Sequence, residues 1–512
     1  MVRLKDVADL GVQAFRIWDF MGFEDSDWIE LRPINLLFGR NSTGKSAILH
    51  ALLLLRQSLT SPPSREPLTL FSEDGIDAGS FQHIVHHKTE PGDDELGQDK
   101  NNTIAFAFKC RIRPELLESF QSKEKRLQAQ AKGEPVISGK EARATLQLAF
   151  GPAQATRRIV LQGIEIRWLN VEGEDTGPLI FAAEWLESEV IDGEWGFPPS
   201  LVEQRPDPAT ESLWDRVKDF GVGIGFLPVL PELKIGSTDN EESDYDVIRK
   251  LLDEFRQVIS GFLKSLHYLG PVRSEPRRFY YAPGGTSSRA SKQGMNILEN
   301  FLATWGTDQW ERNLEWINSC LKELDLGIQL EVHALDKERK PYQSIFDVRL
   351  REDSAGTRTS LCDTGFGWSQ TLPIVLECAL AEEGATIIIE EPEAHLHPGA
   401  QAELGDLFIR MVKERKHFLI ETHSEHLLLR IRRRVAETTA KMISPSDSRS
   451  LGSEDLKVYF VDRVKGKSFT RSIEIDHLGS IIDPPERFKG FFSDDAREVF
   501  KLTKAALQAE AL

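Results

Sequence analysis

Eight consecutive residues constrain this chain more than any others: Gly39, Arg40, Asn41, Ser42, Thr43, Gly44, Lys45 and Ser46, a G-x-x-x-x-G-K-S pattern. Before them runs the apolar stretch Ile34, Asn35, Leu36, Leu37 and Phe38, which predicts a buried parallel strand. After them Ala47, Ile48 and Leu49 open a run that predicts a buried helix. Glycines at these positions let successive backbone N–H groups turn toward phosphate oxygens, with Lys45 reaching the β/γ-phosphates and the Ser46 hydroxyl ligating Mg²⁺. A chain of 512 residues shows this pattern by chance in about 2% of cases, before the flanking strand and helix are counted. The sequence therefore predicts an α/β fold with a P-loop at residues 39–46 and ATP with Mg²⁺ as its ligands.

Two further strand ends fit the same chemistry. Thr386, Ile387, Ile388 and Ile389 run into Glu390, Glu391, Pro392 and Glu393. In P-loop enzymes a carboxylate at such a strand end holds the Mg²⁺ shell and its neighbour polarises the attacking water, so Glu390 and Glu391 are assigned those roles. Ile420 leads into Glu421, Thr422, His423, Ser424 and Glu425. His423 there is placed to donate a hydrogen bond to a γ-phosphate from the carboxyl edge of the sheet.

Between these α/β segments the chain is less regular. Alternating stretches at 103–108, 144–150 and 164–169 predict an antiparallel sheet, and 245–266 a helix. The charged segment within 114–140 reads as a solvated helix or loop, and a last helix is expected at about 494–512. The partition is 1–170 for the P-loop and antiparallel lobe, 171–266 for an inserted lobe, 267–360 for a connecting β/helical lobe and 361–512 for the returning α/β part. The nucleotide fold is thus split by the middle of the chain.

Taken together, residues 39–46, the run Asp363, Thr364, Gly365, Phe366, Gly367, Trp368, Ser369 and Gln370, the acidic strand end, His395, Leu396, His397 and Pro398, and Glu421 to Ser424 resemble the ABC-type ATPases of the RecF/SMC/OLD group. More narrowly, with the segments at 268–277 and 488–494, the chain is similar to bacterial AAA-annotated ATPases of phage-defence systems. The resemblance implies an ABC-type ATPase head split by a long insertion, with an antiparallel β lobe and an inserted, mostly helical lobe. It also implies a head-to-tail homodimer or higher homo-oligomer with ATP between the subunits. Gly365, Gly367, Ser369 and Gln370 would form a signature loop touching the partner's γ-phosphate, although the run departs from the familiar L-S-G-G-Q form. A Gln ligand to Mg²⁺ or water is placed at Gln82. A defence role with a separate effector protein encoded nearby is a further implication.

Arg430, Arg433 and Arg434 lie at helical spacing and suggest a small phosphate-binding face for DNA; the competing reading is a basic helix countering the protein's own acidic surface. Arg273, Arg277 and Arg278 suggest either a phosphate contact or pairing with acidic residues. His83, His86 and His87 lack a carboxylate or Cys pattern and read as solvated or core histidines. A net charge of −18 disfavours indiscriminate nucleic-acid binding. The four cysteines show no metal spacing, and no apolar run approaches the length of a membrane span, so a reduced, cytoplasmic protein without a membrane partner is expected. Two other functions compete: a RecF-like DNA-repair or chromosome-structure ATPase, and an OLD-type nuclease, for which Asp462 is a lone carboxylate near the end.

Overall fold

The computed structural model describes residues 11–489 except 62–66, 73–74, 87–102, 114–141, 153–157, 170–178, 187–193, 197–222, 226–231, 235–243, 274, 282–294, 325–326 and 336–343. Described residues within 1–31, 47–266 and 465–469 form one compact unit, and those within 32–46, 267–464 and 470–512 another. This grouping cuts across the partition read from the sequence. The P-loop segment joins the C-terminal part, and 267–360 joins it too. No division falls at 170/171, because Leu179–Leu186 pairs antiparallel with Ile159–Trp168.

The P-loop unit is built on a sheet in the order Leu266–Leu269, Thr386–Glu390, His417–Glu421, Ile34–Phe38, Leu456–Val464 and Lys467–Ile475. The four strands from Thr386–Glu390 to Leu456–Val464 run parallel. Ile34–Phe38 and Thr386–Glu390 are buried at every position, as apolar runs covered on both faces must be. One polar residue interrupts the first of them. Buried Asn35 is satisfied there: its amide donates to the Arg32 and Phe418 carbonyls at 2.5 and 3.0 Å, and its oxygen accepts from the Arg32 amide at 2.9 Å. The register sets Glu421 beside Leu37 on one side and beside Glu390 on the other, so the P-loop, the acidic pair and the His423 segment all leave the sheet at one carboxyl edge.

Helices Met295–Ala303, Asp308–Glu323, Phe366–Leu380, Pro398–Lys413 and Glu425–Thr439 belong to this unit. So does a small antiparallel sheet of Tyr280–Tyr281, Ile345–Glu352, Ile328–Ala334 and Arg358–Ser360. One core joins them. Phe301 stacks on Trp310 with centroids 4.1 Å apart, and Trp305 packs against both Trp310 and Phe346. Aromatic pairs of this kind add about 0.5–1.5 kcal/mol each beyond the area they bury.

The other unit carries the expected antiparallel sheet, ordered Phe23–Asp25, Val12–Phe20, Ile104–Ile112, Ala142–Pro152, Ile159–Trp168, Leu179–Leu186 and Glu194–Gly196. Helix Asp244–Lys264 buries Leu251, Leu252, Phe255, Ile259, Phe262 and Leu263, the spacing of one helical face. Its Glu254 accepts from the Arg113 amide and Nε, both at 2.7 Å. Helix Asp244–Lys264 is the longest element among the described residues of the expected inserted lobe at 171–266. Beside this helix, its described residues hold four strands: Leu179–Leu186, Glu194–Gly196, Gly223–Gly225 and Glu232–Lys234. No helix among the described residues is long and apolar enough to cross a membrane. The charged segment at 114–140, the final helix at 494–512 and His87 lie outside the described residues.

Candidate functional site

The P-loop takes its shape from two glycines. Gly39 has φ +155°, and a Cβ there would sit 2.2 Å from the Val461 carbonyl oxygen; Gly44 has φ +107°. The loop is also tied across itself: Thr43 Oγ1 donates to the Arg40 carbonyl at 2.8 Å, and Arg463 Nη1 to the Ser42 carbonyl at 3.4 Å. Arg40, Asn41 and Ser42 are exposed at its tip, whereas Lys45 is buried at the start of helix Lys45–Thr60. Lys45 Nζ donates to the carbonyls of Gly39 and Arg40, each at 3.0 Å.

Glu421 faces both functional side chains of the loop. Its Oε1 lies 3.5 Å from Lys45 Nζ, and its Oε2 accepts from Ser46 Oγ at 2.8 Å. Burial raises the Glu421 carboxyl above its usual range, while Lys45 and the Ser46 hydroxyl pull it back down. Sequence reasoning gave this residue no role. The signal was a second carboxylate ending a buried strand, but nothing in the sequence says that this strand lies beside the P-loop strand.

Glu390 and Glu391 stand at the end of the adjacent strand. Glu390 is buried, and Tyr268 Oη donates to its Oε1 at 2.7 Å; burial and this carboxylate hold the phenol in its protonated form. Glu391 is half-buried in a left-handed conformation with φ +46°, and its amide donates to the Glu421 carbonyl at 2.8 Å. A non-glycine residue in that region stores strain that its surroundings must hold. Arg273 supplies part of that hold: Nη2 donates to the Glu390 carbonyl at 2.9 Å and Nη1 to the Glu391 carbonyl at 3.4 Å and Gln370 Oε1 at 3.2 Å. Burial lowers Arg273 to about 10, with Glu393, Glu391 and Glu390 drawing it back up, so it stays cationic at neutral pH. Arg273 thus fixes the acidic strand end through carbonyl oxygens, and the nearby carboxylates act on it through their charge alone.

His423 follows the Glu421 strand end. Its amide donates to Glu393 Oε1 at 2.5 Å, which straps the turn after the acidic strand to the His segment. Burial first, and then the Lys45 charge, lower the imidazole below 6.5 against the opposing pull of Glu391. At neutral pH the ring is therefore neutral, with one nitrogen available as a donor. Next to it Ser424 caps helix Glu425–Thr439, accepting from the Leu427 amide at 3.0 Å.

Other expected site residues lie elsewhere. Ser369 and Gln370, on helix Phe366–Leu380, are buried within the chain, and Gln370 Oε1 accepts from Arg273. Gly365, the N-cap of that helix, is exposed with open space around it, and Gly367 lies against the His395 carbonyl. Gln82 belongs to the other unit, exposed on the four-residue helix Phe81–Ile84. His83 hydrogen-bonds within the cap of that helix, and His86 Nδ1 contacts the Met21 carbonyl, as structural histidines do.

The proposed basic face at Arg430, Arg433 and Arg434 is neutralised by the protein's own carboxylates. Arg430 binds Asp406 at 2.6 Å and Glu403 at 2.9 Å; Arg434 binds Asp406 and Glu437, both at 2.6 Å; Arg433 binds Glu437 at 2.7 Å. The forks of Arg430 and Arg434 are thus engaged within the protein, which favours the competing reading of a basic helix countering the protein's own acidic surface, while Arg433 pairs through Nε alone.

Residues 237–428 match the family model described as an AAA ATPase domain. The matched span of this domain includes Glu390, Glu391, Glu421 and His423, and the P-loop precedes it. Among solved structures, a Smc head bound to the C-winged helix domain of ScpA is 11% identical with a TM-score of 0.39, covering 91% of this chain and 98% of that one. The SMC head domain from Thermotoga maritima is 11% identical with a TM-score of 0.34, covering 91% and 99%. A Pyrococcus furiosus Smc head with an extended coiled coil, bound to the C-terminal domain of ScpA, is 10% identical with a TM-score of 0.35, covering 90% and 96%. Likenesses this distant carry no functional weight. No curated protein matches the chain.

Proposed function

We propose that this ATPase domain binds ATP at the P-loop and hydrolyses it, and that the nucleotide state switches a homodimer. The observation that supports the reading most is the convergence at one sheet edge of Lys45 and Ser46, the Glu390–Glu391 pair and a neutral His423. The loop's backbone amides cradle the phosphates, and Lys45 exchanges the Gly39 and Arg40 carbonyls for phosphate oxygens. Ser46, Glu421 and Glu390 offer hard oxygen donors, a set that suits Mg²⁺. When bound, that ion supplies charge neutralisation at the phosphates. Glu391, fixed by Arg273 and the Glu421 carbonyl, takes the proton of the attacking water. His423 donates to the γ-phosphate side.

Phosphate release from ATP by the purified chain tests the reading, with Lys45→Ala as the blank. Release equal in both proteins would reject the site. The exposed N-terminus of helix Phe366–Leu380 at Gly365 supports a trans contact made by backbone amides, with the Ser369 and Gln370 side chains outside it. A native mass measurement with and without ATP tests the dimer. The phage-defence role and the nearby effector rest on the family resemblance, and co-purification with neighbouring gene products tests them. The RecF-like and OLD-type readings are weaker: the Arg430 cluster is self-neutralised, and Asp462 is engaged by Arg487 and the Arg463 amide, each at 2.8 Å.

A further inference from the structure

Beyond offering an oxygen donor, Glu421 is a buried carboxylate that contacts both residues the P-loop uses to hold a triphosphate. Its side chain bridges Lys45 Nζ at 3.5 Å and Ser46 Oγ at 2.8 Å, while its carbonyl accepts from the Glu391 amide. It is 5% exposed, so water does little to screen it.

Lys45 is then one cation with two claimants. If the ammonium swings to phosphate oxygens, Glu421 is left as a buried negative charge facing a polyphosphate of the same sign. Water cannot relieve this at such burial, and the neighbouring Glu390, in register on the next strand, adds a second carboxylate. A second cation in the place Lys45 leaves relieves the repulsion while the carboxylate keeps its charge. Ser46, whose hydroxyl Glu421 already holds, marks where that cation would sit, and the oxygen donors there match a hard divalent ion.

We propose that Glu421 makes nucleotide uptake conditional on a divalent cation: it holds Lys45 and Ser46 in the resting site, and yields Lys45 to the phosphates only when Mg²⁺ arrives with them. This rests on the ATP-binding reading above. Glu421 thereby couples two ligands, and the coupling is reciprocal.

The test measures ATP affinity of the full chain by calorimetry, in excess magnesium chloride and in excess EDTA, for the wild type and for Glu421→Gln. Glutamine keeps the acceptor for Ser46 and removes the charge, and the melting midpoint without nucleotide checks that the variant folds. The wild type should bind about 100-fold more tightly with Mg²⁺ than with EDTA, and Glu421→Gln should shrink that ratio about tenfold, chiefly by binding better in EDTA. A wild-type ratio near one overturns the proposal without any variant. A Glu421→Gln ratio equal to the wild type's, or equal losses in both conditions, also overturns it and reduces Glu421 to a structural clamp. A wild type that binds no ATP in either condition sinks the ATP-binding reading and takes this inference with it, an outcome distinct from the other two.

Discussion

The P-loop unit contains two places where basic side chains meet carboxylates, and they differ in what they leave available. At Lys45 one ammonium is shared among two backbone carbonyls and a single carboxylate at 3.5 Å. At Arg430 and Arg434 two guanidinium forks are held by Asp406, Glu403 and Glu437 at 2.6–2.9 Å. In the first arrangement a move of Lys45 strands one carboxylate, Glu421, beside the place where an incoming divalent cation would sit. In the second, every exchange would strand a carboxylate. Phosphate recognition thus depends less on how many cations cluster than on what already neutralises them.

Four substitutions press on that contrast. Glu391→Gln should slow phosphate release about 100- to 1000-fold while calorimetry shows ATP binding retained, since it removes a base without touching the cradle. Unchanged turnover would strip Glu391 of its role. Lys45→Ala should weaken ATP binding about 100-fold, the loss of a charge-assisted contact of about 2.7 kcal/mol. Equal affinity would place the triphosphate elsewhere. Arg434→Ala should cost about 2 kcal/mol of stability in denaturant melts, tempered because Asp406 keeps Arg430, and should leave ATP affinity alone. A drop in nucleic-acid binding with no loss of stability would reverse the comparison. Arg433 is the exposed member, and Arg433→Ala should change stability by less than about 0.5 kcal/mol. A larger loss would mean that the exposed pair with Glu437 matters more than its setting implies.

What the sequence made legible follows from how local the chemistry is. The P-loop, the acidic strand end and the parallel strands can be read from short runs of residues, and each lies where it was expected. Glu421 could not be assigned because its role depends on strand order: Phe418 meets Asn35 across 383 residues of sequence. The arginine cluster misled because Asp406 and Glu403 sit one helix earlier, 24–28 residues away, and helical spacing alone does not show what faces it. Ser369 and Gln370 looked like a presented loop, but the helix they begin is apolar on most sides, with Leu372, Ile374, Val375 and Leu376 all buried. A motif cannot say which way such a helix turns. Arg273 was seen only as one of two alternatives, since its targets are backbone carbonyls, which carry no sequence signature.

The position of Ile34–Phe38 between His417–Glu421 and Leu456–Val464 also constrains how the chain can be made. A ribosome emits the P-loop strand hundreds of residues before either of its neighbours. At 5–20 residues per second, the 383 residues from Asn35 to Phe418 represent roughly 20–80 s during which a strand apolar at every position but Asn35 has neither partner. Completing the nucleotide site therefore waits until both late strands have been made, and a nascent chain stalled before residue 417 would expose an aggregation-prone segment and no ATP site.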